Sequence, residues 1–272
     1  MAKNILVVPD VHGRTFWKKP VSDYAAQADR IVFLGDYLDP YRNEEVDCSS
    51  KALYRNLMEI ISLKLEYRDK VILLKGNHDQ HYSSRRFRSR GAGTRMDHEH
   101  WDLYHSLFND HRHLFQLAHR EVVGGTTYVF THAGLTAYWL NKVNQQLWHL
   151  DDSDVSVAQQ ETIDRINALD DDEQQGQDLL AVVGYNRSMM GERTGSVLWA
   201  DVNEHSMQHV PAVYGLNKVF QVFGHTRMNG NIMDILAYAH HAMIDSQKCF
   251  LISETLPDRI TPICENEGDG VI

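Results

Sequence analysis

The sequence predicts an α/β fold with a largely parallel sheet. Five short apolar runs, NILVVPD, RIVFLGD, KVILLKGN, TTYVFTH and KVFQVFGH, are rich in β-branched residues and bounded by turn formers, the pattern of strands. Their near-continuous apolar character suits strands buried on both faces. Helical patterns lie between them, and strands alternating with helices imply βαβ units.

The elements follow in chain order. NILVVPD and RIVFLGD form the first two strands. Residues 49–67 place Leu53, Leu57, Ile60, Ile61 and Leu65 on one stripe, a helix with Ser49 or Ser50 as its N-cap. KVILLKGN is the third strand and TTYVFTH the fourth, and residues 136–148 repeat the helical stripe with Leu140, Val143 and Leu147. The intervals from Asp10 to Asp36 and from Asp36 to Asn77 are long enough for crossover helices. From Asp151 to Gln177 the acidic stretches DDSD and LDDDEQQGQ flank the helical pattern VSVAQQETIDRINAL. This reads as a helical, acidic surface insertion spanning roughly residues 140–195, its charge run a solvated face. The segment around Trp199 reads as a further strand, and KVFQVFGH is the fifth apolar run. No repeat or linker divides the chain, so residues 1–272 read as one domain.

Composition narrows the function. The net charge of −10 argues against non-specific nucleic-acid binding, which needs a basic face. No apolar run approaches the ~20 residues that span a bilayer, and the N-terminal apolar run is too short for a signal peptide. Cys48, Cys249 and Cys264 have no paired spacing, as expected of a reduced, cytoplasmic protein rather than a disulfide scaffold.

All five runs end in potential metal ligands: Asp10 and His12, Asp36 and Asp39, Asn77 and His78, His132, and His225. In a parallel α/β sheet the carboxyl ends of the strands share one edge, so these side chains converge. Singly, each pattern arises often by chance. Together and in this order they indicate a metal site. Oxygen and imidazole nitrogen without thiolate suit Mn, Fe or Zn. The alternative cluster Asp97, His98 and His100 opens a helix, where an N-cap and exposed imidazoles explain it. Asp79 reads as a turn residue or a support for the ligands, and His240 and His241 as surface or supporting groups.

The order D-V-H-G (10–13), G-D-Y-L-D (35–39), G-N-H-D (76–79), T-H-A-G (131–134) and G-H-T (224–226) resembles the calcineurin-like metallophosphoesterase superfamily. T-H-A-G, the single-His G-H-T and GSVLWAD (195–201) resemble its phosphoprotein phosphatase (Ser/Thr phosphatase) branch, bacterial and phage members included. MIDSQKCFLI (243–252) is similar to that branch's closing strand. The resemblance runs from residue 5 to about residue 252. It implies a four-layer α/β/β/α sandwich, two mixed sheets packed face to face with helices outside. It also implies two divalent metal ions, with Mn ahead of Fe or Zn. Asp10, His12 and Asp36 would hold the first, and Asp36, Asn77, His132 and His225 the second, with Asp36 bridging. Such a pair lowers the pKa of a shared water, and the bridging hydroxide attacks phosphorus in line. His78, beside Asn77, is the candidate proton donor to the leaving group. Asp39 is the candidate to orient its ring and favour imidazolium.

The phosphatase branch carries a phosphate-clamping Arg directly after the second Asp of G-D-x-x-D. Here that position is Pro40, which has no N–H to donate. Arg42, Arg187 and Arg193 are the candidate replacements. Arg85, Arg86, Arg88, Arg90 and Arg95 offer further guanidinium groups beyond G-N-H-D. The expected function is a metal-dependent phosphatase acting on phosphomonoesters, with phosphoprotein, nucleotide or small phosphoester as substrate. The alternatives are a nucleotide pyrophosphohydrolase of the diadenosine-tetraphosphate type or a phosphodiesterase. A catalytically silent binding scaffold is a third option, against which the complete ligand set weighs.

Overall fold

The computed structural model of the chain describes residues 3–42, 44, 46–88, 94–172, 174–206, 212–227, 236–237, 239–256 and 259–263. The five apolar runs form the strands β1 (Asn4–Val8), β2 (Arg30–Phe33), β3 (Val71–Leu74), β6 (Thr126–Thr131) and β7 (Phe220–Phe223). Six further strands complete the sheets: β4 (Phe115–Gln116), β5 (Ala118–Val123), β8 (Leu236–Ala237), β9 (His241–Met243), β10 (Phe250–Ser253) and β11 (Thr261–Pro262).

The strands divide between two mixed sheets, as the resemblance implies. The first has the order β11-β10-β1-β2-β3-β4, with β1 to β4 parallel and β10 antiparallel to β1. The second has the order β5-β6-β7-β9-β8, with β6, β7 and β9 parallel between antiparallel neighbours. The stretch similar to a single closing strand is therefore two strands in two sheets. Met243 ends β9 in the second, and Phe250 opens β10 in the first.

Strand alternation builds the layers, because successive side chains point to opposite faces. Ile5, Val7, Val32, Leu34, Ile72 and Leu74 point inward from the first sheet and meet Tyr128, Phe130, Phe220, Val222 and Ala242 of the second. Leu6, Val8, Ile31, Phe33, Val71 and Leu73 point the other way. They pack against the helices α1 (Lys18–Tyr24), α2 (Ser50–Tyr67) and α4 (Trp101–Asp110). Helix α3 (Asn77–Ser83) begins at the end of β3. The stripe read along residues 49–67 is the buried face of α2, and Ser49 caps it by accepting from the Ala52 N–H. Leu65 is the exception, 53% exposed at the last turn.

The outer face of the second sheet is covered by α5 (Ala137–Val143), α6 (Gln160–Ala168) and α7 (Gln175–Leu180), with Trp139, Leu140, Ile163, Ile166, Leu179 and Leu180 buried. Two sheets between two helical layers make the four-layer sandwich. The acidic stretch expected as a solvated insertion thus carries a buried apolar face. Asp151, Asp152, Asp154, Glu161, Asp164 and Asp171 are exposed, Asp170 turns in to pair with buried Lys75, and Val155, Val157, Ile163 and Ile166 close the core. The GSVLWAD segment is a turn rather than a strand, with Trp199 and Ala200 N–H both donating to the Ser196 carbonyl. A last short helix, α8 (Val202–Ser206), follows it. Among the described residues no helix is long and apolar enough to cross a membrane.

An ion cluster ties the two sheets at the end away from the carboxyl ends of the parallel strands. Glu121 of β5 pairs with Lys3 before β1, and with Arg30 of β2 at 2.7 Å. Burial opposes the charge, but hydrogen bonds from His119 and Lys3 and the Arg30 charge hold the Glu121 carboxyl down at about 2. A depressed folded-state pKa stabilises above the unfolded value of about 4.3, and that stability is lost as pH falls through the folded value. Glu121→Gln should lower the unfolding free energy by about 1 kcal/mol at pH 7. In urea melts, that difference should shrink between about pH 4.3 and pH 2. A difference independent of pH over that window would refute the ion cluster.

Candidate metal centre

Three strand ends of the first sheet and two of the second open onto one edge. Past β1 and β2 the chains stay paired: His12 N–H donates to the Asp36 carbonyl at 2.6 Å and Gly13 N–H to Tyr37 at 2.9 Å. This carries Asp10, His12, Asp36 and Asp39 along together. Past β3, Gly76 leads into α3, which begins with Asn77 and His78. Past β6 comes His132, and past β7 come Gly224 and His225, with Gly224 N–H donating to the His132 carbonyl at 2.8 Å.

The side chains meet in two groups that share one carboxylate. Ligand atoms of Asp10, His12 and Asp36 lie within 4.8 Å of one another, and so do those of Asp36, His132 and His225. Asp10, His12, Asp36 and His132 are buried, none more than 2% exposed, and His225 is half-buried at the rim. Asn77 joins the second group, its Oδ1 at 2.9 Å from His132 Nε2.

Backbone carbonyls set the tautomers. His12 Nδ1 donates to the Leu38 carbonyl and His132 Nδ1 to the Leu34 carbonyl, each at 2.9 Å. Each Nε2 is thereby left with a bare lone pair turned into the site, as a ligating histidine requires. Burial holds all three imidazoles neutral by pushing His12 and His225 well below their ordinary pKa and His132 below it.

This arrangement fits divalent cations and is costly without them. His132 Nε2, bare in this tautomer, faces Asn77 Oδ1 at 2.9 Å, so acceptor points at acceptor, and His225 Nδ1 stands 3.1 Å away. Burial, with the Asp245 and Asp36 charges close by, raises the Asp10 carboxyl well above its ordinary pKa. Like carboxylates out of water strongly favour a counter-charge. A donor set of oxygen and imidazole nitrogen suits hard to borderline metals.

Strain gathers at the same edge. His12, Asp36, Asp39 and His225 all have positive φ, at 45°, 51°, 60° and 67°. Non-glycine residues in this region cost of order 1–3 kcal/mol each and persist where the surroundings hold them. Asp79 is one of the holding groups. Its carboxylate accepts from the N–H groups of Gly76, Asp36 and Tyr37 at 2.7, 2.8 and 3.0 Å. It therefore staples the β2 and β3 loops, a stronger role than a turn residue.

Beside the two groups stands His78, only 7% exposed. Its Nδ1 donates to Asp39 Oδ2 at 2.6 Å, and Tyr82 donates to Asp39 Oδ1 at 2.5 Å. Burial would lower the His78 pKa, but the Asp36 charge and the Asp39 hydrogen bond and charge outweigh it, and the net shift is upward.

The arginines sort by position. Arg187 reaches the His225 side, donating to Thr226 Oγ1 at 2.6 Å and pairing with Asp201 at 2.9 Å. Arg42 is exposed at a turn, and exposed Arg193 lies over the Tyr138 ring. Arg85, Arg86 and Arg88 sit on the short helical turn after α3, where Arg86 pairs with Asp178. Arg90 falls outside the described residues. Arg95 enters the site on the His12 and His78 side. In the alternative cluster, Asp97 accepts from the Glu99 and His100 N–H groups ahead of α4.

Two groups escaped the sequence reading. His81 is buried on α3, its ring 5.9 Å from both His78 and Trp199. Burial and the nearby His78 lower its pKa to about 4. The i, i+3 spacing from His78 is the signal that marks it. Asp245 follows β9 as the other site carboxylates follow their strands, and burial pushes it up to about 7.

A Cβ at Gly76 would overlap Asp36 Oδ1, the shared carboxylate. Gly76→Ala should weaken metal binding by about 10–100-fold, read by titration of the metal-free protein with Mn. Wild-type affinity with intact circular dichroism would show that Asp36 is not a ligand.

Residues 3–228 match the family described as calcineurin-like phosphoesterase. No curated protein gives a significant match. Among solved structures, the chain is similar to a protein serine/threonine phosphatase from Saccharomyces cerevisiae, itself described as similar to human phosphatase PP5. That similarity has 14% identity and a TM-score of 0.48, covering 92% of this chain and 72% of the other. The order of the strand-end ligands, their convergence on one shared carboxylate and the match over most of the sequence agree: the chain belongs to the calcineurin-like phosphoesterases, metal-dependent hydrolases of phosphate esters.

Proposed function

We propose that the protein is a dinuclear-metal phosphomonoesterase, with phosphoserine or phosphothreonine among its substrates and Mn, Fe or Zn in the site. One observation carries this reading: two ligand groups joined at Asp36, with a buried His–Asp pair at their rim. Asp10, His12 and Asp36 would hold one ion, and Asp36, Asn77, His132 and His225 the other. When bound, such a pair supplies Lewis acidity, lowering the pKa of a water and offsetting charge on the phosphoryl oxygens.

The chain's own residues do the rest. His78 carries a proton on Nε2 while Nδ1–H stays on Asp39, and it delivers that proton to the departing alkoxide. Asp39 fixes the ring and favours the charged form, and Tyr82 fixes Asp39 in turn. Arg187 extends a guanidinium to the rim beside His225, where a phosphoryl oxygen can accept from it. The side of the site near His81 and Trp199 is aromatic and neutral, a surface for the leaving group.

His78→Asn should lower kcat by about 10²–10⁴-fold and leave the metal content unchanged by elemental analysis. Because His78 must be protonated and its pKa is raised, activity should fall as pH rises through that pKa. Asp39→Asn should move the fall to lower pH, since losing the carboxylate removes the support for imidazolium. An unchanged alkaline limb would remove His78 from the acid role. The substrate class is tested by a panel of phosphopeptides, aryl phosphate, diadenosine tetraphosphate and a phosphodiester at equal Mn-loaded enzyme. Turnover of the dinucleotide or the diester alone would overturn the monoesterase reading.

A further inference from the structure

Tyr41, next to Pro40, is packed between two guanidinium groups. Arg95 Cζ lies 3.6 Å from its ring centroid and Arg227 Cζ lies 4.3 Å away. The same ring meets His12 edge-on at 5.1 Å. Arg95 is further fixed by Nε donating to the Asp39 carbonyl at 3.1 Å. Its Nη2 then reaches the site, 3.4 Å from His12 Nε2 and 3.5 Å from His78 Nε2.

Arg95 differs from its neighbours in charge balance. Arg14 and Arg227 both pair with Glu44, and Arg187 pairs with Asp201. Among the described residues no carboxylate pairs with Arg95. Both ring nitrogens near Nη2 lie at the far limit of hydrogen-bond distance, 3.4 and 3.5 Å, where such a contact is weak. Nη2 is thus a positioned, charged donor at the reaction edge with no close acceptor among the described residues. An anionic phosphoryl oxygen supplies one.

We infer that Arg95 binds a non-bridging oxygen of the substrate's phosphoryl group, held in place by the Tyr41 ring, and supplies the phosphate clamp that Pro40 cannot. This rests on the monoesterase reading and deepens it. A monoester dianion offers more charge and one more terminal oxygen than a diester monoanion, so Arg95 favours monoesters. Lys at this position keeps the charge but loses the planar stack on Tyr41 and the fork that spans Asp39 O and the substrate.

The test compares wild type, Arg95→Ala and Arg95→Lys after equal Mn content is verified. Calorimetric titration with inorganic phosphate reads binding independently of turnover. The kcat/KM values for an aryl phosphate and a bis-aryl phosphodiester read selectivity. Arg95→Ala should weaken phosphate binding and lower monoester kcat/KM by about 10²-fold, leaving diester kcat/KM within a few-fold. Arg95→Lys should lie between. Unchanged phosphate affinity and unchanged selectivity would overturn the inference. Equal losses on both esters together with a shifted alkaline limb would also overturn it, because Arg95 would then act through His78. Absence of aryl-phosphate turnover by wild type would overturn the monoesterase reading instead, while the phosphate titration would still decide whether Arg95 is an anion ligand.

Discussion

Asp10 and Asp36 are placed side by side out of water, and the rest of the edge is arranged around that constraint. Desolvated like charges repel, so the fold tolerates them only with positive charge between or beside them. The imidazoles that complete the set are kept neutral by burial and cannot supply it. His12 and His132 give their proton-bearing nitrogens to backbone carbonyls, and their bare nitrogens turn toward the Asp36 carboxylate. The chain thus builds a pocket of acceptors whose donor set fits divalent cations. The left-handed backbone at His12, Asp36, Asp39 and His225 adds to the cost. A core packed on both faces of each sheet, and the Asp79 staple between the β2 and β3 loops, bear it.

The two-sheet architecture is what brings the two ligand groups together. Asp10, His12 and Asp36 come from the first sheet. His132 and His225 come from the second and meet Asp36 across the interface. Face-to-face packing of the apolar strand faces therefore sets the spacing of the ligands, and a shift between the sheets would separate one group from its shared carboxylate. The Glu121 cluster holds the same two sheets at their other end.

The protein is acidic as a whole, at −10, yet its site is built to take an anion. The contradiction dissolves with distance. Screening confines exposed charges to about 8 Å at physiological salt, while the site charges act at contact. Arg187 on the His225 side and Arg95 on the His12 side flank the shared carboxylate, so a phosphoryl group would meet positive charge from two directions.

The five strands, the α2 stripe with its Ser49 cap and the strand-end residues were legible because each is a local pattern of period, turn or residue type. The broad class of phosphate-ester hydrolase followed from their order. Other features had no local signal. Partition into two sheets depends on pairing between distant strands. The acidic stretch conceals buried Ile163 and Ile166 because a charged outer face and an apolar inner face alternate within one helix. Trp199 lies in a turn, since the Ser196 carbonyl takes two of its neighbouring N–H groups. Above all, nothing along the chain distinguishes Arg95 from the arginines around it. Sequence determines which residues can bind a metal or donate a proton, because that is a property of each side chain. Only the tertiary structure decides which guanidinium stands beside the reaction edge with no carboxylate partner among the described residues, because charge balance is a property of what packs together.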